Sequence, residues 1–485
     1  MEDPQLFYEH VIESLWLTLP LLVLLATGLA VLAADVLMGR SRPAALPWIA
    51  GGGVAAAVWA LWEVGVGDAP RYAFSEALVL DRVTFMADNV ILGATLFLVL
   101  VSPRWLEGRW VPHGEYYALV TLAAMAMMAL GRSAELLALF INFELLSITF
   151  YVLVGMEKRN ERSSEAGFKY FLLGSFAAAF LLFGIVFVFG ATGGMTRLSD
   201  IGGALADGAF EPRLMALGLA LMLIGFGFKL TLAPFHMYAP DVYEGAPTPI
   251  AAAVATGSKI AGFIALLRVV QTVSVWSAPA GVWMAFAAVV VASIVVGNVG
   301  ALVQPNIKRL LAYSSIAHSG YAMIPLVVIL ARPDLAALAG DAVVFYMLAY
   351  SVMTLLAFGV VGTMGAAGEE RISAFAGLGR RAPWRAAAMA LAMISLIGFP
   401  PTAGFFGKLA VFGVAVAGGL YTLAIIGVLA SVASVAYYLR VVVTMYMEEP
   451  AEGLDRPPWP DLATSLALGA AAAGIFLAIW PLLVS

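Results

Sequence analysis

The chain has 485 residues, of which 62% are hydrophobic and 12% are charged. Because a soluble domain usually carries about 25% charged residues, this composition indicates a protein whose solvent is largely lipid. The net charge of −5 gives no sign of nucleic-acid binding. There is no cysteine, which excludes disulfides, thiolate catalysis and cysteine-ligated iron–sulfur clusters. The four histidines lie far apart in sequence, so they do not suggest a haem or metal site.

About fourteen apolar segments follow in chain order, each near the ~20 residues that cross the hydrocarbon core of a bilayer. The acidic start Met1-Glu2-Asp3-Pro4 lacks the basic region of a cleavable signal peptide, so the first span is expected in the mature protein. The sequence therefore predicts an all-α polytopic membrane protein, a single membrane domain over residues 1–485. Its predicted spans are 14–38, 45–65, 83–102, 116–131, 133–155, 167–192, 213–238, 248–274, 280–303, 307–331, 337–366, 384–417, 420–447 and 461–483.

The Lys and Arg residues of the connecting loops predict the orientation. With the N-terminus outside, fifteen of them fall in inner loops and six in outer loops. Since cytoplasmic loops carry the excess of Lys and Arg, both termini are predicted on the outer, periplasmic side. The outer set is Arg71, Arg82, Arg132, Arg197, Arg213 and Arg332, and the inner set includes Arg40, Arg42 and Arg456.

Two spans contain proline at a depth where a regular helix is expected. Pro234 follows Lys229 in span 7, and the pair Pro400-Pro401 precedes Lys408 in span 12. Proline lacks an N–H and clashes with the preceding turn, so both helices are predicted to kink or break. The freed backbone groups are tolerated in a membrane only where they face protein or a water-filled cavity.

These two interruptions lie five spans apart, which is the pattern of an inverted-repeat transporter. Spans 4–8 and 9–13 are therefore predicted to be two five-helix repeats, with broken helices 7 and 12. Because each repeat has an odd number of spans, the second repeat has the opposite orientation in the membrane. The predicted organisation is N-terminal helices 1–3 over 1–115, a first antiporter-like repeat over 116–274, a second over 280–447, and C-terminal helix 14 over 461–483.

Ionisable residues inside the spans are the candidates for function. Glu144 lies 12 residues after Arg132 and 14 before Lys158, or ~18 and ~21 Å along a helix, so it is near the bilayer centre. A charge at that depth costs ~2.5–3.5 kcal/mol on insertion scales, and such groups usually face the bundle interior and pair. The cations within spans are Lys169, Lys229, Lys259, Arg268 and Lys408; snorkelling explains Lys169 and Arg268, which lie near span ends.

A lysine held between burial and a nearby carboxylate can exchange a proton near neutral pH, and several such groups linked by water form a relay. Glu144, Lys229, Lys259 and Lys408 are the predicted relay residues, with a purely structural ion pair as the alternative. His318, in a serine-containing stretch of span 10, is a secondary candidate, since interhelical hydrogen bonding explains it equally well. Which lysine pairs with Glu144 is left open.

Several motifs then resemble a known family. The runs Gly227–His236, Pro240–Pro249 and Ala255–Lys259 closely resemble the subunit N family of bacterial proton-translocating NADH:quinone oxidoreductase, respiratory complex I. Asn306–Ile316 and Gly404–Lys408 do so too. The resemblance covers nearly the whole chain and implies a proton-translocating, antiporter-like membrane-arm subunit with fourteen helices and two inverted repeats.

The resemblance further implies that Glu144 and Lys229 serve a first half-channel, that Lys259 connects the halves and that Lys408 serves the second. It implies that this chain binds no cofactor, because NAD, FMN, iron–sulfur clusters and quinone belong to other subunits. The implied partners are other membrane subunits of complex I in a hetero-oligomer, within the bilayer of the bacterial inner membrane. Neither metal nor nucleic acid is implied.

Related families remain as alternatives. The chain ends soon after span 14, whereas subunit L continues into a long amphipathic helix, and subunit M carries a glutamate where Lys408 stands. Subunits of cation/proton antiporter complexes share the architecture but differ after the break in span 7. Cyanobacterial and plastid homologues with another electron donor are closer and stay open, and a third hypothesis is a scaffold whose buried charges only direct helix packing.

Overall fold

The structure, a computed structural model, describes residues 4–38, 43–276, 279–364, 370–450 and 460–477. Three predicted inner-loop cations, Arg40, Arg42 and Arg456, lie outside these residues, as does the end of the predicted span 461–483. The N-terminal part contains helices α1 Pro4–Leu17, α2 Leu19–Met38, α3 Leu46–Val64 and α4 Arg82–Leu106, with a short 3₁₀ helix at Pro43–Ala45.

A β-hairpin joins α3 to α4 where the sequence predicted only a hydrophilic connection. Strand β1 (Arg71–Ala73) pairs antiparallel with β2 (Leu78–Leu80), so that Arg71 lies opposite Leu80. The turn between them has three successive residues with positive φ, Phe74, Ser75 and Glu76, at 53°, 54° and 69°. Because none is glycine and the strands have three residues each, little in the sequence marks this hairpin.

The middle of the chain forms a first group of helices. They are α5 His113–Arg132, α6 Leu136–Val154, α7 Glu161–Ala191, α8 Leu198–Ala206, α9 Pro212–Lys229, α10 Ala239–Gly245, α11 Thr248–Ala255 and α12 Gly257–Ser274. Side-chain caps mark several of their beginnings. Glu135 accepts from the Ala138 N–H at the start of α6, and Asn160 does the same for Arg162 at the start of α7.

The C-terminal part forms a second group. It comprises α13 Ala280–Leu302, α14 Ile307–Ala331, α15 Ala336–Gly362, α16 Leu378–Arg381, α17 Pro383–Ile397, α18 Ala403–Ala417, α19 Tyr421–Met447 and α20 Leu462–Leu477, with 3₁₀ turns at Pro333–Leu335 and Ile372–Phe375. Within the described residues, eleven helical segments are long and apolar enough to cross a membrane, and α17, α18 and α20 are shorter apolar helices. The predicted class, an all-α polytopic membrane protein, is confirmed; the number of crossings and the two repeats stay predictions.

Both predicted interruptions are present. Helix α9 ends at Lys229, and the chain turns through Thr231, whose φ is 56°, before α10 begins. Helix α17 ends at Ile397, followed by Gly398 with φ 85°, and α18 begins at Ala403. A third interruption was not predicted: Thr256, with φ −116° and ψ −84°, separates α11 from α12, three residues before Lys259.

The helices differ in how much surface they bury. Helices α12 and α14 are enclosed over almost their whole length, whereas α7, α13 and α19 present apolar side chains outward. Apolar side chains on the outer surface and polar groups in the enclosed centre are the arrangement expected for a protein surrounded by lipid. The enclosed helices also carry Lys259 and His318, so the polar groups that need partners lie where the protein can supply them.

Candidate functional site

The three candidate lysines point into the protein rather than toward lipid. Lys229, Lys259 and Lys408 are 3%, 1% and 5% exposed. Glu144 is half-buried, at the edge of an α6 face whose Ile141 and Ile148 are exposed, yet its Oε1 atom is fully buried. Burial of this kind requires each charge to find polar partners inside the bundle.

Lys229, the last residue of α9, lies against α6. Its Nζ donates to Ser147 Oγ at 3.0 Å and lies 5.0 Å from the centre of the Phe143 ring. Glu144 is one helical turn from Ser147 and interacts electrostatically with Lys229. No salt bridge within 4.0 Å joins the two charges in the described part of the chain, and Glu144 Oε1 has no hydrogen-bond partner there. The structure thus brings Glu144 and Lys229 to one site as an open pair.

Lys259 lies in the first turn of α12, just after the interruption at Thr256. Its Nζ donates three hydrogen bonds, to Thr231 Oγ1 at 2.6 Å, to Ser319 Oγ at 2.7 Å and to the Ser315 carbonyl at 2.9 Å. Thr231 belongs to the break after α9, and the two serines belong to α14. Lys259 therefore connects the first broken helix to the second group of helices.

His318 lies next to Ser319 on α14 and is enclosed by tyrosines. Its Nδ1 shares a hydrogen bond of 2.7 Å with Tyr346 OH, and its Nε2 shares one of 3.1 Å with Tyr438 OH. The imidazole interacts electrostatically with both Lys259 and Lys408. The structure therefore places His318 beside Ser319, a partner of Lys259, within a group of tyrosine hydroxyls. Sequence reasoning had offered this only as one of two interpretations.

Lys408, in α18, reaches back across the second break. Its Nζ donates to the carbonyls of Leu396 and Ile397 at 3.0 and 2.8 Å and to Ser431 Oγ at 2.8 Å. These carbonyls belong to the last turn of α17, where a helix leaves its acceptors unpaired and carries the negative end of its dipole. The break thus creates the site that holds this ammonium group.

The partners of Lys259 and Lys408 can serve either protonation state of the amine. An ammonium donates three hydrogen bonds and accepts none, whereas a neutral amine donates two and accepts one. Hydroxyl groups can both donate and accept, so Thr231, Ser319 and Ser431 can reverse their role when a proton leaves. A carboxylate partner would strongly favour the charged state alone. The arrangement is therefore suited to gaining and losing protons.

Three other ionisable residues form ion pairs that account for their positions in the structure. Lys169 binds Glu165 at 2.6 Å and Asp241 at 2.7 Å, so pairing rather than snorkelling alone accounts for it. Arg268 likewise pairs with Asp81 at 2.9 Å. Arg132, assigned to an outer loop from sequence, is instead 1% exposed and pairs with Asp88 at 2.7 Å, because α5 continues to that residue.

A cluster of ion pairs ties α10 to the start of α14. Arg309 binds Asp241 at 2.7 Å and Glu244 at 2.9 Å, and Lys308 binds Glu370 at 3.0 Å. Burial raises the pKa of the Asp241 carboxyl, but the hydrogen bonds and charges of Lys169 and Arg309 outweigh it, so its pKa lies below the ordinary value. Asp241 is therefore ionised in neutral solution, and the cluster positions the segment that follows the first break.

Sequence reasoning missed the uncharged members of the site. Ser147, Thr231 and Ser431 each bind one of the three lysines, and Tyr346 and Tyr438 bind His318. Serine, threonine and tyrosine are common in membrane helices, so no residue type marks them. Only Ser147 has a sequence signal: it follows Glu144 by three positions and therefore faces the same side of its helix.

A helical membrane protein that buries lysines at the breaks of two helices has the fold and site of an antiporter-like membrane subunit. The family described as NADH:quinone oxidoreductase/Mrp antiporter, transmembrane, matches residues 133–434. The chain belongs to this family. Within the described residues, no group of three or more His, Asp or Glu side chains could hold a metal ion.

Individual relatives give the comparison its detail. The chain is 42% identical over 454 residues to NADH-quinone oxidoreductase subunit N 2 of Roseiflexus castenholzii, covering 91% of this chain and 89% of the relative. It is 34% identical to a chain of respiratory complex I from Thermus thermophilus with bound aureothin, with a TM-score of 0.80 and coverage of 96% and 98%. The Mrp complex from Dietzia sp. DQ12-45-1b contains a chain 19% identical at a TM-score of 0.82, with coverage of 98% and 95%, a likeness of fold alone.

Proposed function

We propose that this chain is a proton-translocating membrane-arm subunit of an NADH:quinone oxidoreductase, and that Glu144, Lys229, Lys259, His318 and Lys408 carry its protons. The relative from Roseiflexus castenholzii, named as subunit N of that enzyme and similar over nearly its whole length, supports the assignment. The chain would work as a non-redox part of a translocase. NAD, FMN, iron–sulfur clusters and quinone would be bound by other subunits of the same hetero-oligomer.

One observation carries the proposal: the hydrogen bonds of Lys259. This residue joins Thr231 at the first helix break to Ser315 and Ser319 on α14, beside His318. Polar groups that serve only packing need no such link between a broken helix and the second group of helices. Linked exchangeable groups inside the membrane are what a proton relay requires.

The geometry supports a simple sequence of events. When Glu144 approaches Lys229, the ammonium gains a counter-charge and holds its proton; when the pair opens, that proton is released toward neighbouring hydroxyl groups. Lys259 then exchanges protons with Thr231 and Ser319 by reversing hydrogen bonds. The energetic scale is modest, since moving one charge against the membrane potential costs ~2.3 kcal/mol per 100 mV.

The proposed location is the bacterial inner membrane, with both termini on the periplasmic side. The excess of Lys and Arg on one set of loops supports this orientation. Reporter fusions at each terminus test it: activity of a periplasmic reporter is expected at both ends, and activity at only one end would contradict the even number of spans.

Substitution of Lys229 tests the relay. In Lys229→Ala we expect a normally assembled complex whose proton pumping falls about tenfold or more, because the first half of the relay loses its exchangeable amine. Lys169→Ala is the matched control, since Lys169 is a half-exposed lysine that pairs with Glu165 and Asp241. Normal pumping and normal quinone reduction in Lys229→Ala would contradict the relay and favour a scaffold.

Isolation of the complex separates the proposal from a cation/proton antiporter. We expect an affinity-tagged chain in native membranes to co-purify with flavin and iron–sulfur subunits and with NADH:quinone reductase activity. Recovery with antiporter subunits alone, without flavin or iron, would contradict the assignment to the oxidoreductase. The likeness to the Mrp complex concerns the fold and does not favour that alternative.

A further inference from the structure

A cavity of about 320 Å³ opens between α5, α6 and α7, at the end of the bundle that carries the α6–α7 connection. Its wall includes the exposed side chains of Glu115 and Lys158 and the exposed hydroxyl residue Ser164. Exposed Val152 and Phe168 also line it. Charged groups of both signs are hydrated at a membrane surface, so water can enter this cavity beside Glu115 and Lys158.

Tyr151 lines this cavity. The residue is 8% exposed, and its buried hydroxyl lies next to Ser147 but outside normal hydrogen-bond geometry in the described part of the chain. Its ring is held edge-to-face by Tyr170 and Phe171, with centroids 4.9 and 5.7 Å away. The hydroxyl lies against Gly174 of α7, where any side-chain carbon would overlap it. The phenol is thus oriented by its neighbours, with its hydroxyl next to Ser147.

Tyr151 shares one face of α6 with the proposed relay. Glu144, Ser147 and Tyr151 stand at positions i, i+3 and i+7, which spans ~10.5 Å along the helix. Ser147 Oγ, in the middle, accepts the hydrogen bond from Lys229. Of the buried atoms on either side of it, Glu144 Oε1 and Tyr151 OH, neither forms a hydrogen bond of normal geometry in the described residues, and Tyr151 OH lies next to Ser147 itself. Buried polar atoms are normally satisfied, so two loosely held polar atoms beside one serine point to a path for water.

We propose that this cavity is the aqueous entrance to the first half of the relay and that Tyr151 separates it from Glu144 and Lys229. The inference rests on the proposed function. With its ring in place, Tyr151 blocks bulk water, and its hydroxyl passes a proton by accepting one hydrogen bond and donating another. When the ring moves, water reaches Ser147 directly.

The natural absence of cysteine allows a direct test of the separation. Ser147→Cys is introduced alone, with Tyr151→Ala, or with Tyr117→Ala, in the assembled complex in membrane vesicles of known orientation. Tyr117 is a matched control, because its hydroxyl is also buried without a partner and it lies on α5. A small membrane-impermeant methanethiosulfonate is applied from one face, and labelling of this chain is measured by mass spectrometry. Ser164→Cys reports the mouth of the cavity.

We expect rapid labelling of Ser164→Cys and slow labelling of Ser147→Cys, both from the face that bears the α6–α7 connection. Tyr151→Ala should speed labelling of Cys at 147 about tenfold or more from that face, whereas Tyr117→Ala should not, since a thiol reacts only when reagent and water reach it. Equally fast labelling with Tyr151 intact, labelling from the opposite face, or none in Tyr151→Ala would overturn the proposal. Because these readouts measure access and not pumping, they are independent of whether the relay itself is correct.

A milder variant tests the role of the hydroxyl. Tyr151→Phe keeps the ring and its packing, so labelling of Cys at 147 should stay slow while proton pumping per quinone reduced falls about threefold or more. Tyr117→Phe should leave the ratio unchanged. An unaltered ratio in Tyr151→Phe would overturn the proposed proton transfer through the phenol.

Discussion

Lys229 and Lys408 each lie at a broken helix, but the two breaks hold their lysines by different means. At the first break the carbonyl of Phe228 accepts from the Thr231 N–H at 3.0 Å and from Tyr238 OH at 2.8 Å, and the N–H of Ala233 donates to Ser293 Oγ at 2.9 Å. These backbone groups therefore do not need the Lys229 side chain, which instead donates to Ser147 Oγ, beside Glu144. At the second break Lys408 itself satisfies two freed carbonyls.

The two lysines therefore differ in how much the backbone depends on them. Lys229 donates to the Ser147 hydroxyl, with Glu144 nearby but not hydrogen-bonded to it, so a change in its protonation would disturb no backbone group. A lysine that closes a helix end supports the fold as well, since unpaired buried carbonyls are costly. The second site can release a proton without losing the backbone contacts, because a neutral amine still donates two hydrogen bonds.

The largest expected contrast is in stability. Lys408→Ala leaves the Leu396 carbonyl unpaired, at about 1–3 kcal/mol for a buried acceptor, and leaves the Ile397 carbonyl only a weak bond of 3.5 Å from Ser431 Oγ. Lys229→Ala strands no backbone group. Thermal inactivation of the purified complex should therefore occur at clearly lower temperature in Lys408→Ala than in Lys229→Ala. Equal thermal stability of the two variants would contradict the structural role of Lys408.

The carboxylate is the second point of contrast. Glu144→Gln keeps the shape of the side chain but removes the charge that acts on Lys229, so pumping should fall about tenfold, equivalent to ~1.4 kcal/mol. Thermal stability should hold, because Glu144 Oε1 has no hydrogen bond to lose within the described residues. Glu63→Gln, at an exposed glutamate of α3, is the control. A destabilised Glu144→Gln complex would indicate a structural ion pair instead.

The two serines sharpen the comparison. Ser147→Ala removes the acceptor of Lys229, whereas Ser431→Ala leaves Lys408 its two carbonyls. A hydrogen bond to a charged group contributes about 1.5–3 kcal/mol, so pumping should fall several-fold more in Ser147→Ala than in Ser431→Ala. Pumping rates in matched vesicles measure this, and the reverse order would contradict the roles given to the two breaks.

The smallest expected effect concerns the cap on the first break. Tyr238→Phe removes the hydroxyl that binds the Phe228 carbonyl but keeps the stacked ring, so the complex should lose about 1 kcal/mol of stability with pumping unchanged. Thermal inactivation alongside a pumping assay checks this. Loss of pumping at normal stability would mean that Tyr238 belongs to the relay and not only to the cap.

The parts predicted from sequence are those with a strong local signal. Pro234 and Pro400 mark the two breaks because proline cannot continue a helix, and Glu144 and the lysines stand out because charge is rare at such depth. The interruption at Thr256 escaped prediction, since no proline accompanies it and threonine is tolerated in a helix. The hairpin at 71–80 escaped for a similar reason: its turn has no glycine.

The arrangement of partners needed the three-dimensional structure. Lys229 and Ser147 are 82 positions apart, and Lys259 and Ser319 are 60 apart, so no local pattern links them. The burial of Arg132 against Asp88 likewise depends on how α4 and α5 pack. The same holds for the position of the Tyr151 hydroxyl next to Ser147 and Gly174, which depends on the packing of α6 against α7.

By itself, then, the sequence determined that the protein is surrounded by lipid, that it is helical, where two helices break and which charged residues are buried. These follow from composition and from the chemistry of single residues, which lipid tolerates only under narrow conditions. Tertiary structure alone decided which charges meet and which lysine satisfies a helix end. Hydrogen bonds act over ~3 Å, so only the packing of distant helices sets the partners of each buried amine.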